Sequence, residues 1–359
     1  MSKEWRFGIV GTGVVGEWHV RVTPKIPGAK LVAVCDTVPD KAAQALAKNE
    51  LTGIPVYSNV EEMLQKEQLD VVTVCTPSGD HLGPALAAIR AAKYVITEKP
   101  MEIELGRIDQ LVAEARQYGV KIAGIFQNRW HPANRALREA AQQNRFGRIS
   151  WAGSFTPWYR PDKYYSDGGW RGTWKLDGGG AIMNQSVHTI DLLQWIVGPV
   201  KRVSAYGASR IHAAIEVEDT LSCSLQFENG GFGTIVGTTA LYPGCPVRVW
   251  VGGENGTAIS ENGLHTFKFR EETSTPEQLA NDKLLLEQLP PGLARNSGGG
   301  SSATDVGLDL HGQNVSAILR AWEKGEEAET NGVEARKAVA IILAMYESVR
   351  KNGEAVDVI

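Results

Sequence analysis

The sequence predicts an α/β protein in two parts: an N-terminal doubly wound parallel sheet, then a C-terminal α/β domain with a large, mostly antiparallel open sheet. Three observations carry this. Short apolar runs alternate with helix-length segments as far as Phe126, the pattern of strands with crossover helices. A glycine triplet joins the first apolar run to the first helix. From Ile149 onward the chain reads as strands and turns, most clearly in Thr220–Phe227, whose odd positions are apolar. The turn Glu228-Asn-Gly-Gly231 and the returning run Phe232–Thr238 complete a hairpin. The boundary falls after Phe126, giving domains 1–126 and 127–359.

Taken in order, Phe7–Val10 reads as a buried strand, and Val15–Val22 as the opening of a helix. Between them stands Gly11-Thr12-Gly13-Val14-Val15-Gly16. Its glycines serve a tight turn, backbone room for a pyrophosphate, and close helix–strand packing. The helix N-terminus adds unpaired N–H groups and a positive dipole end. A second strand, Leu31–Asp36, ends in a carboxylate 20 residues past Gly16. There it can accept both ribose hydroxyls of NAD and repel the 2′-phosphate of NADP; Lys41 is the one nearby cation that can meet that phosphate. Then come a helix over Pro39–Ala47, a short strand at Pro55–Tyr57, and a helix over Val60–Gln65 capped by Ser58 or Asn59. Leu69–Cys75 is a strand running into Thr76-Pro77-Ser-Gly-Asp-His81, and Leu82–Ala92 a helix. Tyr94–Thr97 ends at Glu98-Lys99-Pro100, before helix Ile103–Tyr118 and strand Lys121–Phe126. The second part opens with helix Pro132–Gln143 and carries a further hairpin over Val247–Ser260. Asn296–Ser302 is a flexible loop, and the helices His311–Lys324 and Val333–Lys351 close the chain.

Composition narrows the function. The 359 residues suffice for two domains and a large core. With 22% charged residues and a net charge of −4, nothing calls for nucleic acid or an anionic membrane. Apolar runs are strand-sized, too short to span a bilayer. The first motif begins at residue 7, which leaves no room for a signal peptide and predicts a cytoplasmic protein. Cys35, Cys75, Cys223 and Cys245 lack short paired spacing and read as reduced thiols rather than a disulfide frame or zinc site. Trp130, Trp151, Trp158, Trp170 and Trp174 fall within 45 residues. Rings so grouped serve either a core or a cleft for the apolar faces of sugars.

Three stretches carry chemistry. Lys99 stands at a strand end on the nicotinamide side of the expected crevice, where a lysine can act as general acid or base. In Asp177–Trp195, three glycines precede a helical pattern that puts Asn184 and His188 on one face, with Asp191 one step further. That face is either catalytic or holds a histidine satisfied by Asp191. A zinc site lacks further ligands at metal spacing, so no metal is expected. In Trp158–Trp174, Arg160, Lys163 and Arg171 lie among aromatic residues. They either bind a polar or anionic sugar or neutralise Asp162, Asp167 and Asp177; alternatively Trp170 and Arg171 line the nicotinamide pocket.

Together these residues resemble the glucose–fructose oxidoreductase, inositol dehydrogenase and rhizopine-catabolism (Gfo/Idh/MocA) family over nearly the whole chain. The resemblance rests on Gly11-x-Gly13-x-x-Gly16-x-x-His19, Asp36, Thr76-Pro77-x-x-x-His81, Glu98-Lys99-Pro100 and Gly178 to Asp191. The ending, Asn331-Gly-x-Glu-Ala-Arg336 with Tyr346-Glu-Ser348, is also similar. The resemblance implies a Rossmann domain, tightly bound NAD or NADP, and hydride transfer at a sugar or cyclitol carbon, with Lys99 and His188 in the active site. One position departs: Asn184 stands where the family often has aspartate, so an Asp/His proton relay is not available.

The resulting reading is an NAD-dependent sugar or cyclitol oxidoreductase with Lys99 and His188 in proton transfer. Its cofactor set is Gly11, Thr12, Gly13, Val14, Val15, Gly16, Asp36, Thr76, Pro77, His81, Glu98, Lys99, Asn128, Trp170 and Arg171. Its substrate set is Lys99, Arg160, Tyr164, Arg171, Asn184, His188 and Asp191. The partner is a small sugar, and the broad second sheet predicts a homodimer or homotetramer. Two alternatives stand beside it: a redox-neutral glycoside hydrolase that oxidises its sugar transiently, and a non-catalytic dinucleotide-binding regulator.

Overall fold

The computed structural model describes residues 3–166, 169–291 and 308–359; Asn296–Ser302 and Asp167 lie outside them. The chain forms two compact units. The first holds the described residues up to Gln127, the segment Lys175–Gly178 and the described part of Thr304–Arg336. The second holds the described parts of Asn128–Trp174 and Gly179–Ala303, and Lys337–Ile359.

The opening of the chain alternates strand and helix: β1 (Trp5–Val10), α1 (Val14–Val22), β2 (Ala29–Cys35), α2 (Lys41–Lys48), β3 (Val56–Tyr57), α3 (Val60–Lys66), β4 (Val71–Val74), α4 (Leu82–Arg90), β5 (Tyr94–Thr97), α5 (Leu105–Gln117) and β6 (Ile122–Gly124). The strands run in the order β3-β2-β1-β4-β5-β6, every pair parallel. Strand order reverses between β1 and β4, the place where such sheets bind ligands. The boundaries follow local chemistry. Asn59 caps α3 by accepting the Glu62 N–H at 2.8 Å, a bond worth about 1 kcal/mol.

The rest contains α6 (Pro132–Gln142), β7 (Ile149–Pro157), α7 (Asp162–Ser166), α8 (Val187–Val197), β8 (Val200–Ala208), β9 (Thr220–Phe227), β10 (Phe232–Thr238), β11 (Arg248–Gly253), β12 (Gly256–Ser260), β13 (Leu264–Phe269), α9 (Pro276–Gln288), α10 (Leu308–Glu323), α11 (Gly332–Arg350) and β14 (Val356–Asp357). The eight strands run β13-β12-β11-β7-β10-β9-β8-β14. Only β7 and β10 pair parallel; the other pairs are antiparallel. Along β9 the odd residues are buried and the even ones are not, as the alternation predicts. Helix α9 is not foreseen, although Thr275-Pro276 with Gln278 spells a capping box with proline in the first turn. Its one buried residue, Asp282, takes both arms of Arg145 at 2.6 and 2.7 Å.

Packing shares out the end of the chain differently from a single boundary after Phe126. Val315, Ile318, Leu319 and Trp322, a helical stripe on α10, bury against Trp5, Phe7, Ile96 and Ile125 in the first unit. The sheet is also covered around Ile9, Val20, Leu31, Val34, Ala42 and Leu46. No helix among the described residues is long and apolar enough to cross a membrane.

Candidate active site

In the first unit the motif residues gather at the carboxyl ends of adjacent strands. The turn after β1 carries Gly11 at φ +85°, and a Cβ on Gly16 would lie 1.8 Å from the Gly11 carbonyl oxygen. Glycine is therefore required where α1 packs on β1. At Gly13 the situation is opposite: a Cβ would meet nothing nearer than Lys41 Nζ, 3.9 Å away. That open backbone, at the N-terminus of α1 and without a side-chain cap, fits a pyrophosphate. Asp36, just past β2, accepts the Thr12 N–H at 2.7 Å, the Thr12 hydroxyl at 2.8 Å and the Val38 N–H at 2.9 Å. Burial pushes its carboxyl up, but these bonds and Lys41 at 3.9 Å outweigh it and hold it below the usual range. Asp36 is thus an anion in place for ribose hydroxyls, and Lys41 already leans toward it.

The loops after β4 and β5 are joined through His81. Its Nδ1 lies 3.0 Å from the Pro100 carbonyl oxygen and 3.2 Å from that of Met101, and its Nε2 lies 2.9 Å from that of Thr76. The ring is buried, so His81 braces the strand end that carries Lys99. The Thr76 hydroxyl donates to the Asp80 carbonyl at 3.0 Å, and Pro77 precedes that turn. The Glu98 carboxylate turns inward: Oε1 accepts from His19 Nε2 at 2.7 Å and lies 3.8 Å from His311 Nε2, while Oε2 accepts the Lys99 N–H at 3.1 Å. Glu98 is therefore spent on internal partners. Lys99 itself is half-buried, and the Lys99–Pro100 peptide is cis.

In the second unit the glycine run leads into a π-turn, Ala181–Ser186, that continues as α8. Of Ala181–Val197, only Asn184 and His188 are not buried. Asp191, expected with the substrate residues, lies on the buried side of α8. It is 1% exposed, and Arg129 reaches both its oxygens, Nε to Oδ2 at 2.8 Å and Nη2 to Oδ1 at 2.5 Å. Burial and this bidentate pair make Asp191 an anchor of α8. Asn128 is half-buried at the start of the unit, where its carbonyl accepts the Asn134 amide at 2.8 Å.

The described residues of Trp158–Trp174 include the short helix α7, and Arg160 and Arg171 lie over aromatic rings while Lys163 is exposed. The Arg160 guanidinium lies 4.9 Å from the Trp158 ring and 5.1 Å from that of Tyr164. Arg171 lies 4.6 Å from Tyr164 and 5.0 Å from Trp170. Burial pulls the Arg160 guanidinium below its ordinary pKa, with Tyr164 opposing, and its Nε has no hydrogen-bond partner among the described residues. Asp162 and Lys163 form no ion pair with it or each other among the described residues. The Tyr164 hydroxyl accepts from Gln185 at 3.0 Å, tying the loop to the π-turn.

Several organising residues escape a reading of motifs. Asp219 accepts three successive N–H groups, of Arg210, Ile211 and His212, at 2.9, 2.8 and 3.0 Å. His212 Nδ1 lies 3.1 Å from Asp219, and its Nε2 lies 2.7 Å from the Arg160 carbonyl oxygen, which fixes that arginine's backbone. The parity of the run was the available signal, since Asp219 falls on the odd positions with buried Leu221 and Cys223 and is itself buried. Glu218 and His311 carry no such sign, and Tyr346 stands in the chain's closing motif without a role legible from it. All four cysteines are free, and the described residues contain no cluster suited to a metal ion.

Residues 5–126 match a family model described as an oxidoreductase family with an NAD-binding Rossmann fold, and residues 134–259 match the GFO/IDH/MocA C-terminal domain. The chain is similar to the WlbA dehydrogenase from Bordetella pertussis, solved in complex with NADH and UDP-GlcNAcA: 30% identity, 99% of each chain covered, TM-score 0.84. It is also similar to D-apiose dehydrogenase of Paraburkholderia graminis, 26% identical over 98% of this chain and 89% of the relative. Myo-inositol 2-dehydrogenase of Thermotoga maritima is 25% identical over 73% of this chain and 76% of its own.

Proposed function

Because the chain belongs to the GFO/IDH/MocA family of NAD-binding oxidoreductases, we propose that it oxidises or reduces one carbon of an acidic sugar derivative, with Lys99 and His188 moving the hydroxyl proton. The observation that carries this is the face of Asn184 and His188, the only accessible side chains in a helix otherwise buried from Ala181 to Val197. NAD, when bound, supplies the hydride exchange. The chain's residues do the rest. Asp36 and the open backbone at Gly13 hold the dinucleotide. Asn184 donates to and accepts from sugar hydroxyls without titrating. His188 or Lys99 takes the hydroxyl proton as the carbon is oxidised.

The substrate's acidity is argued from Arg160 and Arg171. Arginines packed on rings in a half-buried loop, one with an unpartnered Nε, form a fork for a carboxylate or phosphate. The Bordetella relative holds UDP-GlcNAcA, a nucleotide-sugar that offers both. Tyr206, Phe232 and Trp250 are exposed on β8, β10 and β11, and a second copy of the chain would cover them in a homo-oligomer.

The test is a panel of sugars, cyclitols, nucleotide-sugars and glycosides mixed with the protein and NAD. Absorbance at 340 nm and products are followed together. The reading predicts NADH and a keto-sugar in equal amounts, from acidic members first. Cleavage of a glycoside without net NADH would mean a hydrolase, and no turnover of any member would mean a binding protein.

A further inference from the structure

The glycine run ahead of the Asn184–His188 face is held by a buried carboxylate that hydride transfer does not itself call for. Glu218, just before β9, is 5% exposed. Its Oε2 accepts the Gly180 N–H at 3.0 Å; its Oε1 accepts the Ile182 N–H and the Tyr346 hydroxyl, each at 2.9 Å. Its backbone carbonyl takes the Ala181 N–H at 3.1 Å. Such an approach needs glycine: a Cβ on Gly180 would lie 1.7 Å from the Glu218 carbonyl oxygen, and one on Gly179 2.0 Å from the Tyr346 hydroxyl. The π-turn starts at these amides, and the Asn184 N–H bonds back to the Gly180 carbonyl at 3.0 Å. The register of this turn therefore decides where Asn184 and His188 emerge.

We propose that Glu218 is a positioning residue: ionised, it clamps the first turn of the Asn184–His188 helix through Gly180 and Ile182, and protonated, it lets that turn loosen. The proposal rests on Asn184 and His188 being the substrate face. Every hydrogen-bond partner of the side chain is a donor, so these bonds are strongest to the ionised carboxylate, although burial makes that ionisation costly. Tyr346, from α11, is the one titratable side chain bonded to it; the glycine run and π-turn present only backbone. Asp219, next along the chain, is turned to Arg210, Ile211 and His212. Among the described residues no lysine, arginine or histidine forms an ion pair with Glu218. Burial raises the carboxyl, the bonds from Ile182, Tyr346 and Gly180 offset part of that, and it stands at about 7. Burial first, and Glu218 second, push the Tyr346 hydroxyl well above the ordinary phenol range, so it remains a donor.

The test is amide hydrogen exchange across Gly178–Gln185, in the full chain with saturating NAD, at pH values spanning the Glu218 midpoint. After correction for intrinsic rates, protection at Gly180 and Ile182 rises on the order of tenfold as the carboxyl ionises. Tyr346→Phe keeps the step but moves its midpoint upward, because one donor to the carboxylate is gone. Glu218→Gln removes the step and lowers kcat while NAD affinity holds. A step that persists in Glu218→Gln, or a midpoint unmoved in Tyr346→Phe, overturns the proposal; if Glu218→Gln does not fold, the Tyr346→Phe midpoint decides alone. His188→Ala keeps the step whether or not it keeps turnover. An active His188→Ala therefore removes the functional reading without touching this one.

Discussion

Glu98 in the first unit and Glu218 in the second are equally buried, each 5% exposed, yet their carboxyls move in opposite directions. Burial raises both. At Glu98 the hydrogen bond and charge of His19, then His311 and Lys99, overcome it and bring the carboxyl down to about 2. Among the described residues Glu218 has donors but no ion-pair partner, and it stays at about 7. The difference shows that the partners' charge, rather than depth, sets the state of a buried acid. It also separates two ways of holding a site. The strand end carrying Lys99 is braced by a carboxyl held low by its neighbours, and the turn carrying Asn184 by a carboxyl that titrates near neutrality.

The widest test of this contrast is stability against pH. A carboxyl lowered on folding stabilises the protein above its unfolded value of 4.5 and loses that stability as pH falls toward about 2. Relative to Glu98→Gln, the wild type should therefore lose roughly 3 kcal/mol over that acid limb, measured by denaturant titration. For Glu218 the sign reverses. Its raised carboxyl makes ionisation costly in the fold, so wild-type stability falls as pH rises from 4.5 to about 7. The fall should be of similar size, roughly 3 kcal/mol, and absent from Glu218→Gln. Parallel slopes in the two variants would break the comparison.

Smaller effects sharpen it at the ligands. Arg160→Ala should raise KM for an acidic sugar by about tenfold or more, from a lost bond to a charged group. A neutral counterpart should be unaffected, and the effect should shrink as salt rises. Equal KM changes for both would leave the loop as an aromatic platform. Asp36 should make NAD bind more tightly than NADP, by roughly tenfold. Titrating both cofactors at one salt concentration checks this, and Asp36→Ala should narrow the gap.

The two regions were also unequally legible. The first unit is written in short motifs, because each of Gly11, Gly16, Asp36 and His81 meets its partners within a loop or at the end of an adjacent strand. The second unit's site is assembled across long separations: Glu218 to Gly180, Tyr346 to Glu218, and Arg129 to Asp191. Helical spacing could place Asn184 and His188 on one face, but not say that Asp191 turns inward to an arginine 62 positions away. Nor could periodicity place the apolar stripe of α10 in the first unit, since a stripe records that a face is buried and not against what.

The most direct measurement of the account's central claim is turnover by Lys99→Met and His188→Ala on the best substrate of the panel, alongside NAD affinity. The account predicts NAD binding within about twofold of wild type and turnover lower by ~100- to 10,000-fold in each variant. Losses of only a few-fold in both would contradict it and place the proton transfer elsewhere.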